Sequence, residues 1–116
     1  MGPAWAGNPH FISCNIVGAT PNSITVASKE AGLGDELQIV AELHVFGQCV
    51  NPGGNDPEAD NKDEFVTTAT IPVQNGKTNY AMTVTADFQP PCSPPMSVVF
   101  SDLKVVDVTN GLTCIP

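Results

Sequence analysis

The sequence predicts an all-β fold, a single antiparallel sandwich. Three observations carry that expectation. Val, Ile and Thr together supply 29 of the 116 residues, and these side chains favour the pleated, half-buried surface of a sheet. Several runs place apolar residues at every second position, the period of a strand with one face covered. Turn-forming residues separate those runs at short intervals. The length suits one domain, and 41% hydrophobic against 14% charged residues is the reverse of a disordered composition.

Ile12, Cys14 and Ile16 share one parity and define a first strand. The turn residues around Pro21-Asn22 lead into a second, Ile24-Thr25-Val26. Leu37, Ile39, Ala41, Leu43 and Val45 alternate with Gln38, Glu42 and His44. A helix competes there, because Leu37, Val40 and Leu43 would share a helical face. Strand is favoured because every odd position is apolar and Gly32, Gly34 and Gly47 bracket the run. Phe65 to Val73 and Tyr80 to Phe88 flank Asn75-Gly76, a pair suited to the two positive φ angles of a type I′ turn, so a hairpin is expected. Tyr80, Met82, Val84, Ala86 and Phe88 lie on one face of the latter run. Val98 and Phe100 share one parity, Leu103 and Val105 the other, and the slip predicts a bulge near Ser101-Asp102. Asn110-Gly111 predicts a last hairpin into Leu112-Thr113-Cys114. The irregular stretches are Asn51 to Asp63 and Gln89 to Pro95. About seven short strands with this punctuation suggest an immunoglobulin-like arrangement. The Cys–Trp–Cys signature of true immunoglobulin domains is missing, since the sole Trp is at position 5.

Four Cys, at positions 14, 49, 92 and 114, suit an oxidising compartment. Without a Cys-x-x-Cys pair, and with two His in all, a tetrahedral zinc site is poorly supported. Ala4-Trp5-Ala6 reads like the end of a secretion signal. Residues 1–6 are therefore expected to be a remnant of signal cleavage or of an added leader, and 7–116 the domain. Four cysteines allow three pairings. Cys14 in the first strand and Cys114 in the last would tie the chain ends together, closing a long loop that contributes about 4–5 kcal/mol. Cys49 and Cys92 would pin the two irregular segments to each other. The formal net charge is −8, with four Lys and no Arg, which excludes the basic footprint of a nucleic-acid binder. No apolar run approaches the roughly 20 residues of a membrane-spanning helix.

Certain phrases carry a resemblance: Gly7-Asn8-Pro9-His10-Phe11-Ile12, Lys29-Glu30-Ala31-Gly32-Leu33-Gly34, Cys49 with Asn51-Pro52-Gly53-Gly54-Asn55, Asn61-Lys62, and Cys92-Ser93-Pro94-Pro95. Together they resemble small secreted β-sandwich proteins common in actinobacteria, for which no function is assigned. The resemblance implies secretion and a Cys49–Cys92 bridge. It supplies no catalytic residue, and the Cys14–Cys114 pair stands outside it.

Two segments invite chemistry. The acidic loop holds Asp56, Glu58, Asp60 and Asp63, with Glu64 behind them and only Lys62 opposing. Clustered carboxylates suit a hard cation such as calcium, with Asn51, Asn55 and Asn61 as neutral oxygen donors. The EF-hand likeness then fails, with Asn61 at the sharp-turn Gly position and Thr67 at that of the bidentate Glu. A solvated acidic surface is the simpler reading. The other segment is Pro90-Pro91-Cys92-Ser93-Pro94-Pro95-Met96, whose prolines stiffen the chain. Such a loop loses little entropy on binding, as in a protease inhibitor with Met96 as exposed anchor, or it simply crosses between sheets. His10 and His44 are the only bases titrating near neutrality, and no nucleophile, zinc or phosphate-loop motif occurs. No catalytic residues and no cofactor beyond a possible calcium ion are expected. The sequence thus favours a secreted, non-catalytic structural or binding module facing an extracellular protein or surface. An inhibitor working through the proline-rich loop and a calcium-dependent module are the alternatives.

Overall fold

The computed structural model describes residues 7–50, 62–88, 92 and 96–116. The expected remnant 1–6, with Ala4-Trp5-Ala6, lies outside them. Seven strands follow one another: β1 (His10–Thr20), β2 (Ser23–Ala31), β3 (Gln38–Val50), β4 (Lys62–Pro72), β5 (Thr78–Thr85), β6 (Ser97–Asp107) and β7 (Leu112–Cys114). They form two antiparallel sheets, one of three strands in the order β1-β2-β5 and one of four in the order β4-β3-β6-β7. The expected sandwich is therefore present, with both disulfides.

The period-two pattern sets the core. Ile39, Ala41, Leu43 and Val45 of β3 are fully buried. They face Ile24 and Val26 of β2, Tyr80, Met82 and Val84 of β5 and Val105 of β6 in one cluster drawn from both sheets. Ala86 and Phe88 continue the β5 parity past the strand end and pack with Cys49 in a second, smaller cluster. There Phe88 meets Phe65 edge to face, ring centroids 5.2 Å apart.

Leu37 departs from its expected core place. It precedes β3 and is 84% exposed, while Leu33 of the β2–β3 loop is buried completely. Leu33 is held there by donating to the Gly76 carbonyl at 2.9 Å and accepting from the Glu36 amide at 3.2 Å. Ile12 and Ile16 are exposed as well. The β1–β2 register skips at Ile12 and at Val17, so two residues oppose one and the strand rotates. Phe11 and Cys14 thereby become the core contributors of β1.

The turn at Asn75-Gly76 forms as its chemistry requires, with φ of 54° and 73° and reciprocal backbone bonds of 3.0 Å between Gln74 and Lys77. The hairpin expected around it does not extend further. Gln74 and Lys77 make an isolated bridge, after which β4 joins β3 and β5 joins β2. The long register available to β4, from Gln38 opposite Pro72 to Gln48 opposite Lys62, outcompetes pairing with β5. The expected bulge in β6 is present: Phe46 pairs with Ser101 but His44 with Lys104, and Asp102 has φ of 54°. The final hairpin forms with Asp107 opposite Leu112, its connection spanning four residues rather than two.

Cys14 and Cys114 join β1 to β7, across the two sheets, with Cα atoms 6.4 Å apart. Cys49 lies within β3, not in the loop after it, and is bonded to Cys92 with Cα atoms 5.7 Å apart. Replacing Cys14 and Cys114 by Ser removes a cross-link spanning 100 residues. Denaturant unfolding should show a loss of about 4–5 kcal/mol, and a loss below about 1 kcal/mol would contradict the loop-closure account.

Gly32 is the tightest backbone approach. It has φ of +74°, and a Cβ there would run into the Asn8 carbonyl. Left-handed φ alone costs a side chain roughly 1–2 kcal/mol, and the collision is with backbone that cannot step aside. Gly32→Ala should therefore destabilise by about 2 kcal/mol or more in denaturant unfolding.

Candidate functional site

On the three-stranded sheet, a cleft of about 610 Å³ opens beside the Gln74–Lys77 turn. Lys29 of β2 and its register partner Asn79 of β5 line it. Ile12, pushed outward by the β1 bulge, and Pro72 at the end of β4 supply apolar surface. Gln74 and Lys77 close one side. Lys29 and Lys77 are both exposed, and neither forms a salt bridge among the described residues. The walls are fixed. The turn is bonded to Leu33, Val73 donates to the Leu37 carbonyl at 3.0 Å, and Thr78 Oγ1 donates to the Pro72 carbonyl at 2.9 Å.

A cluster of acids lies within the sandwich. Glu30, on the same parity as Ile24 and Val26, is wholly buried, as is Asp107 of β6. The Tyr80 hydroxyl donates to Glu30 Oε2 at 2.6 Å. Asp107 accepts from the Asn110 amide at 3.0 Å and from its Nδ2 at 2.8 Å, and Asn110 Nδ2 also reaches Glu36 Oε1 at 3.2 Å. Glu30 Oε1 and the buried Ser28 Oγ have no hydrogen-bond partner among the described residues. Burial pushes the Glu30 carboxyl up to about 8; the neighbouring Asp107 carboxyl adds to this, the Tyr80 hydroxyl opposes it, and the charges of Asp107 and Glu36 raise it further. Burial, and then the Glu30 carboxyl, likewise raise the Tyr80 phenol well above its ordinary value.

His44 lies on the outer face of the four-stranded sheet, on the polar side expected for it. Its Nε2 is 2.8 Å from Glu42 Oε1 and its Nδ1 is 3.4 Å from Glu64 Oε2. Only a doubly protonated ring donates to both. His10 Nδ1 is 2.7 Å from the Asn8 carbonyl.

Of the acids expected to hold calcium, Asp56, Glu58 and Asp60 lie outside the described residues. Asp63 does not belong to a loop: β4 begins at Lys62, and Asp63 pairs with Gly47 while its Oδ1 accepts from the Glu64 amide at 2.8 Å. Sheet pairing thus extends two carboxylates farther toward the acidic segment than composition suggested. Among the described residues, no three of His, Cys, Asp and Glu are grouped to hold a metal ion. Pro90, Pro91, Ser93, Pro94 and Pro95 also lie outside the described residues. Met96 is half-buried and packs on Cys49, Ala86 and Phe88, so it is not the exposed anchor expected of an inhibitor loop.

A second groove, of about 560 Å³, runs between Ile16, Ile24, Phe100, Leu103 and Ile115. It follows the side of β6 on which β7 covers Val105 to Asp107 only. The cleft lysines and the Glu30–Asp107 pair were not singled out from sequence. The available signal was parity: Glu30 follows Ile24, Val26 and Ser28 on the inward positions of β2, and Asp107 follows Val105. No known family model, curated protein or solved structure matches this chain.

The acid cluster makes stability depend on pH with a definite sign. Glu30 binds its proton more tightly folded, at about 8, than at the ordinary 4.5. Its contribution is full below pH 4.5 and is lost as pH climbs through 8, at up to about 1.4 kcal/mol per pH unit. The difference in unfolding free energy between the native protein and Glu30→Gln should therefore slope across that window and level off above it. A flat difference from pH 4 to 9 would mean that Glu30 folds with its charge.

Proposed function

We propose that this chain is a secreted, non-catalytic binding module built on an immunoglobulin-like sandwich. The cleft beside Lys29 and Lys77 carries the reading. It is concave, within the size range of small-molecule sites, and walled by hydrogen-bonded strands and a tight turn. Two disulfides favour an extracellular setting. Lettering the strands A to G gives sheets A-B-E and D-C-F-G. That order supports the reading, since it differs from the immunoglobulin arrangement by the fourth strand lying in the second sheet rather than the first.

Three of the groups able to move protons are held in structural contacts or buried. His44 is held between two carboxylates, and Glu30 and Asp107 are sealed between the sheets. His44, on β3 of the four-stranded sheet, is not among the residues lining the cleft, so it does not reach a ligand held there.

The test pairs binding with turnover. The oxidised protein is titrated with small acids, sugars and short peptides while amide chemical shifts are followed, and the same preparation is assayed on chromogenic esters, glycosides, phosphates and peptides. Saturable shifts without turnover are expected. Hydrolysis lost in His44→Ala, with the fold intact by circular dichroism, would overturn the non-catalytic reading.

A further inference from the structure

We infer that the cleft takes a small organic anion, a carboxylate or sulfate headgroup on an apolar body; this rests on the binding-module reading and specifies its ligand class. The first observation is one of charge distribution. The chain carries four Lys, no Arg and twelve acids, yet two of those four cations, Lys29 and Lys77, border the same cleft. Lys104 lies across the molecule from them on β6, pairing with His44, and Lys62 is at the start of β4. In a chain of net charge −8, half of the cations thus border one concavity, the kind of site where field lines converge and the effective dielectric falls.

The second observation is that neither Lys29 nor Lys77 forms an ion pair among the described residues. One acid, Glu30, adjacent to Lys29 in sequence, also lines the cleft. Its buried carboxyl holds a proton at neutral pH, so it does not cancel the lysines. The cleft thus keeps a net positive character that the sequence total conceals.

The third is shape and lining. Ile12 and Pro72 offer apolar contact, and the side-chain amides of Gln74 and Asn79 can donate to headgroup oxygens. Two Lys supply point charges rather than a planar fork, so the headgroup need not be bidentate. The volume, about 610 Å³, matches a small molecule. Among the described residues, the lining includes no aromatic ring on which a sugar would stack.

The probes are octyl sulfate and octanoate below their micellar concentrations, with octyl glucoside and octyltrimethylammonium as neutral and cationic controls. Amide shifts of the oxidised protein are recorded during each titration. Both anions should perturb Lys29, Gln74, Lys77 and Asn79 saturably, and the controls should not. Lys29→Gln and Lys77→Gln should each weaken octyl sulfate by roughly fivefold, the loss of one nearby charge at a surface. Lys62→Gln and Lys104→Gln should bind as the native protein does. Equal binding of octyl glucoside, or anion binding indifferent to Lys29 and Lys77, would overturn the assignment. Shifts confined to Ile16, Phe100 and Leu103 would overturn the cleft while leaving the module a binder. No saturable shift with either anion would likewise overturn the ligand class, whereas the wider panel of sugars and peptides decides the binding role separately.

Discussion

The Cys14–Cys114 bond joins the first strand of one sheet to the last strand of the other. No ladder hydrogen bonds run between β1 and β7, and β7 itself pairs with β6 at three positions. Apolar contact alone would have to close this side of the sandwich, and it is the side where Ile16 and Ile115 stay exposed. A covalent link that brings the chain ends together removes much of the entropy that the open chain would regain by fraying there. The bulges in β1 become tolerable for the same reason. They turn Ile12 and Val17 outward and interrupt a free edge, which also discourages pairing with a neighbouring molecule.

The interior holds an unusual compromise. Glu30, Tyr80 and Asp107 occupy inward positions that an apolar core would give to Val or Leu. Burying two carboxylates side by side in ionised form would be costly, and the pair is accommodated by keeping the Glu30 carboxyl neutral against an Asp107 that Asn110 caps. The Tyr80–Glu30 bond ties β5 to β2 within one sheet, while Asn110 bonds both Asp107 of β6 and Glu36 of the β2–β3 loop. The Asn110 contacts add a directional constraint where the β2–β3 loop crosses between the sheets, which non-directional hydrophobic burial does not supply.

The cleft depends on both features. Ile12 reaches it because of the β1 bulge, Lys29 neighbours Glu30 on β2, and the turn that walls it is bonded to the loop whose Leu33 seals the end of the core. A Glu30 carboxyl held neutral adds no opposing charge beside Lys29.

Local sequence determined the strands, because period-two burial needs only the residues of one segment. Ile39 to Val45, Tyr80 to Phe88, the Asn75-Gly76 turn and the β6 bulge were legible from single segments, while the cysteine pairing was read from the expected strand order, loop placement and the resemblance. Tertiary structure alone decided which strands became neighbours. Asn75-Gly76 fixes two dihedral pairs but cannot hold β4 and β5 together against the longer ladder that β3 offers. Likewise Leu37 continues the pattern of β3 in sequence, yet Leu33 takes the buried place because a loop pinned to Gly76 reaches it first. The acid pair and the cleft were hidden for a related reason. Glu30, Tyr80 and Asp107 are 50 and 27 residues apart in succession, and what each does depends on the dielectric and the charges that folding assembles around it, quantities that no single segment carries.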